Sequence, residues 1–503
     1  MTALLFVSLY AAFAGSAADT LRADALALAR EGRWEQARAV LLRARTEYPG
    51  DKRFAIDLAG VAYRMGDRPA AKSHIRSALR IDPTDAYANN FAATLYLLDG
   101  NLDAAVKYWN RIGKPELRAV HIPNDPGVDP GLLRKALPHA DDPFLTSAAL
   151  RGARADLEAL DVFSSYRLEL QPAADEDFDL HFDASSGELQ AGLLGRVLPY
   201  LHGLPYQTLY VDFRNLRGSA VHFGSMWRWD PDKRRGLISL SGPVAGDPRW
   251  RLGMTLDMRD ENWDTGTVFS MRRDELAGEV GRRLTDRLAL ALSTHLTERR
   301  FADAGREALF ANAWSLKQAA RLHYLAADYP EHAFTLRLGG SGELGRLFGH
   351  STFARTQAEA AARWNPRPWL VEARALAGKT AGTAPFDELF VLGMERDSDL
   401  WLRGHAATRD GRKGASPLAR DYFIVQSGGV RELWRHPAVN VGIGPFLDTG
   451  RAWDSTGRFG SRRWLVDAGL ELRVNVLSRL TVRLIYGRNL REGGGAFYSA
   501  VSR

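Results

Sequence analysis

The residues whose types and order could do chemistry gather late in the chain. Leu402, Arg403, Gly404 and His405 close the segment FVLGMERDSDLWLRGH, which runs from Phe390 to His405, and two carboxylates, Glu432 and Asp448, follow downstream. A guanidinium and a later carboxylate offer a bidentate ion pair rather than bond-making chemistry, because the planar fork of arginine matches the two carboxylate oxygens. In a confined, partly desolvated space such an arginine persists only when paired. Arg403 against Glu432 or Asp448 therefore reads as a lock that fixes a long loop. Bond-making sites are not legible. The chain has no HExxH, no Walker phosphate loop and no GxSxG elbow, the nearest being Gly339 to Glu343, which lacks the final glycine. With no cysteine there is no thiolate or disulfide chemistry. The 12 histidines are scattered without ligand spacing. The protein is read as a non-enzyme with no cofactor and no metal.

A lock needs a wall. In Arg249 to Arg259, Trp250, Leu252, Met254, Leu256 and Met258 point one way, while Arg249, Arg251, Gly253, Thr255, Asp257 and Arg259 point the other. The stretch Trp464 to Val476 repeats the alternation, and Arg479 to Tyr486 does so again. One face suits lipid and the other water. A membrane strand needs about 9 to 11 residues, more than the usual 5 to 6 or so of soluble sheets. About sixteen such segments fit between Tyr206 and Arg503, an even number as bacterial barrels require. Paired backbone in lipid requires the first strand, near Gln207 to Arg214, to close on the last, near Ala496 to Val501. Gly493, Gly494 and Gly495 stand before that last strand, where glycine weakens pairing and permits a kink, as a gate would. Trp227, Trp229, Trp250, Trp263, Trp401, Trp453 and Trp464 are read as girdle residues near strand ends.

The N-terminal part has a different period. Gly32, Gly66 and Gly100 recur at 34-residue intervals, the tetratricopeptide spacing. Ala37, Ala71 and Ala105 each follow five residues later, where two helices must approach closely. Pro49 and Pro83 mark helix ends. Three helix pairs fill residues 19–115, and such arrays commonly present a concave face to peptides or partner proteins. Ahead of them, Met1 to Ala18 is an apolar run ending in Gly15, Ser16, Ala17 and Ala18, read as a signal peptide with the mature chain starting near Asp19. The net charge of +7 comes from 67 basic and 60 acidic residues spread without a basic block, so nucleic acid is not read as a partner.

Between repeats and barrel, residues 116–186 pass from an extended piece (Leu117 to Ile122) through two helices (Pro130 to Leu137, Leu145 to Leu160) to two strands (Tyr166 to Gln171, Phe178 to Phe182). This order, with the stretch LEALDVFSSYRLEL, resembles a polypeptide-transport-associated (POTRA) domain. The segment Phe390 to His405 in turn resembles the sixth extracellular loop of the outer-membrane-protein-85 superfamily. Leu402, Arg403 and Gly404 match its tip, and His405 stands where an aromatic residue is usual. VRELWRHP supplies Glu432, and VGIGPFLDTGRAWD supplies Asp448 in the pattern Phe-x-Asp-x-Gly. By strand count the loop falls between strands eleven and twelve. The C-terminal Ser502 and Arg503 depart from the aromatic ending frequent in the family.

The resemblance implies a multidomain chain: a tetratricopeptide solenoid, a small α+β POTRA-like module, a connector over 187–205 and a C-terminal 16-stranded antiparallel transmembrane β-barrel over 206–503. It implies a bacterial outer membrane with the N-terminal domains in the periplasm, lipid around the barrel, and a role in protein assembly or translocation. Client polypeptide or accessory protein would meet the repeats and the module, and a lone module of this kind leaves room for a homodimer. A membrane-anchored interaction scaffold and a passive pore are the competing readings.

Overall fold

The computed structural model describes residues 17–503 apart from 124–125, 140–141, 143, 174–176, 187–202, 306, 437–438, 477–479 and 503. Most of the expected signal peptide and of the expected connector lies outside the described residues. Ala17 and Ala18 already belong to the first helix.

The repeats fold as helical hairpins: α1 (17–30), α2 (Trp34–Glu47), α3 (Lys52–Arg64), α4 (Arg68–Ile81), α5 (Ala86–Leu98) and α6 (Leu102–Trp109). Side-chain oxygens of Asp51, Asp67, Asp85 and Asn101 each accept a backbone N–H of the helix that follows, satisfying donors that a helix start leaves open. Gly32, Gly66 and Gly100 end the preceding helices with φ of +75°, +80° and +72°, a conformation in which a Cβ is costly. Ala37, Ala71 and Ala105 are fully buried where the hairpins meet.

Five elements follow: β1 (Leu117–His121), α7 (Pro130–Ala136), α8 (Ser147–Leu160), β2 (Phe163–Pro172) and β3 (Phe178–Ser186), with the sheet ordered β1-β3-β2. The element order is the one read from the sequence. The compactness of the chain divides it differently. One unit takes the repeats with 140–150 and 168–181. The other takes 121–139, 151–167 and the chain from Phe182 onward. Thus α7 and most of α8 belong to the barrel's unit.

The barrel begins with β4 (Thr208–Phe213), β5 (His222–Asp230), β6 (Lys233–Val244), β7 (Asp247–Asp264), β8 (Val268–Arg283), β9 (Leu288–Ala302), β10 (Ala313–Tyr329), β11 (Phe334–Leu347), β12 (Ser351–Trp364) and β13 (Trp369–Gly382). A long loop, 383–420, then carries four two-residue strands: β14 (Phe390–Val391), β15 (Thr408–Arg409), β16 (Arg412–Lys413) and β17 (Leu418–Ala419). The wall resumes with β18 (Asp421–His436), β19 (Val439–Trp453), β20 (Leu465–Val476), β21 (Leu480–Asn489) and β22 (Gly495–Ser502). Among the described residues seventeen strands close the ring, β15 and β16 of the loop among them. Among the described residues the loop therefore follows the tenth long strand, one place earlier than the sequence count put it.

Two features set the barrel's chemistry. On β7, Leu252 and Met254 are 48% and 53% exposed, whereas Asp257 and Glu261 keep 6% and 2%. This is the reverse of a soluble protein, in which apolar side chains leave water and charges seek it. It suits a wall with lipid outside and a polar lumen. The second feature is the seam. β4, with 6 residues, and β22, with 8, are the shortest wall strands and lie side by side in the closed ring. Antiparallel pairing at every step from β4 round to β22 across an odd number of long strands leaves these two running the same way. Short parallel pairing is the weaker kind.

At one end of the barrel α7 and α8 sit on the turns. Arg283 reaches Asp156 at 2.6 Å, Arg151 reaches Asp286 at 2.9 Å, and Lys135 donates to the Gly246 carbonyl at 3.0 Å. The loop 383–420 leaves from the opposite end, after Gly382, and turns into the lumen.

Candidate functional site: a loop pinned inside the barrel

Register, not sequence distance, builds this site. In the ladders joining β18 to β21, Gln426 faces Asp448, Asp448 faces Asp467, and Asp467 faces Asn489. Four adjacent strands thus place one polar residue each in a single row. The loop tip lies across the row. Gln426 Nε2 donates to the Trp401 carbonyl. Arg403 Nε and Nη2 donate to Asp448 at 2.9 and 2.5 Å, and the Arg403 backbone N–H adds a third bond at 3.0 Å. Gly404 N donates to Asp467 Oδ2 at 2.6 Å, and His405 Nδ1 lies 2.9 Å from the same oxygen. His405 Nε2 meets Asn489 Nδ2 at 2.9 Å.

The arginine is enclosed as well as paired. Its guanidinium lies over the Phe446 ring at 3.9 Å, donates to the Ser427 carbonyl at 3.0 Å, and stands 3.5 Å from Glu471 of β20. Asp448 is fully buried. A charge so placed is tolerable because every side of it meets an acceptor or a ring face. Leu402 is buried in an apolar cluster with Leu376, Phe390, Tyr422 and Ile424. Gly404 is required by closeness: a Cβ there would come within 2.6 Å of the Asp467 side chain and 2.8 Å of β21 backbone.

Glu432 is not part of the lock. It sits near the end of β18, bound to Arg435 at 2.6 Å and Asn440 at 2.8 Å. It lies six residues along β18 from Gln426, roughly 20 Å at the rise of a strand. Glu471 takes the place the sequence reading gave it. The glycines before the last strand divide: Gly493 and Gly494 form the β21–β22 turn with φ of +79° and +92°, and Gly495 opens β22 opposite Arg488. They shape a turn rather than kink a strand. Trp263 and Trp401 are not girdle residues. Trp263 is buried against Phe386 at 4.8 Å, and Trp401 sits in the loop against Tyr498 of β22 at 5.1 Å.

Two further ionic clusters pin the loop. Near its start, Asp387 and Glu388 meet wall cations: Arg299 reaches them at 2.6 and 3.2 Å, and Lys317 and Arg355 reach Glu388 at 3.1 and 2.7 Å. Midway, Asp397 takes Arg228 and Lys413 at 3.0 and 3.1 Å and Arg235 as well, while Lys413 also binds Glu261 at 2.7 Å. A sign of them was present in the sequence. Strand positions facing the lumen carry Arg228, Arg235, Arg299, Lys317 and Arg355, and the loop carries the carboxylates that such buried cations require. A polar cavity of about 590 Å³ remains beside the loop, lined in part by Arg321, His323, Gln357, Glu359 and Arg374.

Fold and site together define a class: a chain with N-terminal helical repeats and a closed β-barrel of membrane type whose own loop is fastened inside the lumen. Comparison with known proteins gives the particulars. Residues 28–89 match the family model described as tetratricopeptide repeat. No curated protein matches. Among solved structures, CdiB from Escherichia coli aligns with 14% identity and a TM-score of 0.52 over 77% of this chain and 76% of that one. CdiB from Acinetobacter baumannii (12%, TM-score 0.48, 87% and 86%) and BamA from Haemophilus ducreyi lacking POTRA domains 1-3 (12%, TM-score 0.45, 77% and 84%) align as well. The likeness to Escherichia coli CdiB shows that the chain shares the fold of that protein.

Proposed function

We propose that this protein is a bacterial outer-membrane barrel that inserts or translocates polypeptides, with the repeats and the POTRA-like module in the periplasm recruiting a client or an accessory protein. The observation that carries this reading is the division of labour around the wall. The loop is fastened to strands from β5 to β12 through its ion pairs and across β18 to β21 through its tip, which braces the wall on both sides of the seam, while the shortest strands meet at the β4–β22 seam itself. A barrel built to stay shut would spread its pairing evenly. One that parts on demand keeps a rigid wall and a separable seam.

The passive pore has less support, because a loop held through three sets of ion pairs lies across the lumen. The anchored scaffold needs no such loop. Reconstitution tests the reading. In liposomes of outer-membrane lipid, the protein should accelerate folding of an unfolded barrel substrate or pass a co-expressed client. Steady ion conductance with neither effect would refute it.

A further inference from the structure

Asn489 has its amide orientation fixed by the turn it begins. Its Oδ1 accepts the backbone N–H groups of Arg491 at 3.0 Å and Glu492 at 3.1 Å. Its Nδ2 must therefore point the other way, toward His405 Nε2 at 2.9 Å and Glu492 Oε2 at 3.3 Å. Two donors cannot share that contact, so His405 Nε2 accepts and its proton sits on Nδ1, which donates to Asp467. The tautomer thus follows from hydrogen bonds on both sides of the ring. Loop tip, β19, β20, β21 and the turn leading into β22 form one continuous chain: Arg403–Asp448, Gly404 and His405 to Asp467, His405 to Asn489, and Asn489 to the amides of Arg491 and Glu492.

We propose that His405 is a positioning residue that couples the lumenal loop to the terminal hairpin, so that fastening of the loop sets the order of the β21–β22 turn and hence of the seam strand. An aromatic ring without nitrogen could fill the same space but could not pass the hydrogen bond on. The charged groups bonded to the imidazole, directly or through Asn489, are Asp467 of β20 and Glu492 of the turn. The inference rests on the reading of the loop as a brace and needs no assumption about what is transported.

Hydrogen exchange on the full-length protein in lipid nanodiscs tests it without any transport assay. His405→Phe should raise exchange of the Arg491 and Glu492 amides about tenfold, the effect of one lost hydrogen bond, and Asn489→Ala, which removes the acceptor of both amides, should raise it further. The double variant should exceed Asn489→Ala by little, since without Asn489 nothing passes the state of His405 to the turn. Asn489→Asp supplies a discriminating arm. Its carboxylate can still cap the two amides but cannot donate to His405 Nε2, so only the link to the ring is lost. Exchange of the turn in that variant, corrected for intrinsic rates, should rise about as much as in His405→Phe. Additive single effects, or parental protection of the turn in Asn489→Asp, would overturn the coupling. Should His405→Phe fail to assemble, Asn489→Asp decides alone. Loss of transport with the coupling intact would count against the proposed function and not against this link.

Discussion

Arg403 holds Asp448 twice over, through its guanidinium fork and through its own backbone N–H. The backbone bond fixes where the residue stands, and the fork fixes where its charge goes. Removing the side chain leaves a buried carboxylate with one donor.

Arg403→Ala should destabilise the folded barrel by about 3–5 kcal/mol, the usual cost of breaking a buried pair. Arg409→Ala, on an exposed position of the same loop, should stay within about 0.5 kcal/mol. Denaturant unfolding in detergent, followed by tryptophan fluorescence, compares the two. Equal effects would mean that the pair is not what holds the loop.

Asp397→Asn should be comparably severe, because Arg228, Arg235 and Lys413 all converge on that carboxylate. Glu432→Gln should change stability little, since its partners Arg435 and Asn440 lie near the β18–β19 turn, away from the lock. The same unfolding assay ranks them, and the reverse order would contradict the site as described.

Gly487→Ala tests closeness of approach. A Cβ there would stand 1.9 Å from the Arg403 carbonyl oxygen, so loop or strand must move, at about 1–3 kcal/mol. Gly457→Ala, with nothing near its Cβ position but a φ of +69°, controls for backbone strain alone. Protease sensitivity of the loop should rise for Gly487→Ala and remain at the parental level for Gly457→Ala.

The repeats carry a pH dependence of their own. Lys52 and then Thr84 hold Asp82 down to about 2, below its ordinary value near 3.9 or so. A depressed carboxylate contributes stability that is present above the unfolded value and is lost as pH falls through about 2. Thermal unfolding of the full chain, read at the helical band, should weaken between about pH 4 and pH 2, and Lys52→Gln should flatten that slope. Parallel curves for the two proteins would remove Asp82 from the account.

How much of this was legible depends on what alternation and period encode. Period two told which side of β7 faces lipid, and the 34-residue period placed Gly32, Gly66 and Gly100 at turns that demand positive φ. That Arg403 would be paired was legible because a guanidinium in a confined loop needs a carboxylate, and the loop motif offered two, Glu432 and Asp448. Glu432 misled because a sequence gives a residue's face but not its height in the wall. Height is set by register, and β18 carries an irregularity between Glu432 and Trp434. Glu471 and Asp467, two strand partners along from the loop, were hidden for the same reason. Asp387, Glu388 and Asp397 were missed because the loop read as solvated, although the lumenal arginines already required counter-charges.

The central claim is the inversion of the wall, and the chain's lack of cysteine makes it directly measurable. Single cysteines placed in turn at residues 252 to 257 of β7, spin-labelled in liposomes, report contact with oxygen dissolved in lipid or with a water-soluble nickel chelate. The account predicts strict alternation, with labels replacing Leu252, Met254 and Leu256 in lipid and those replacing Gly253, Thr255 and Asp257 shielded from it. Equal access to the water-soluble reagent along all six positions would contradict it.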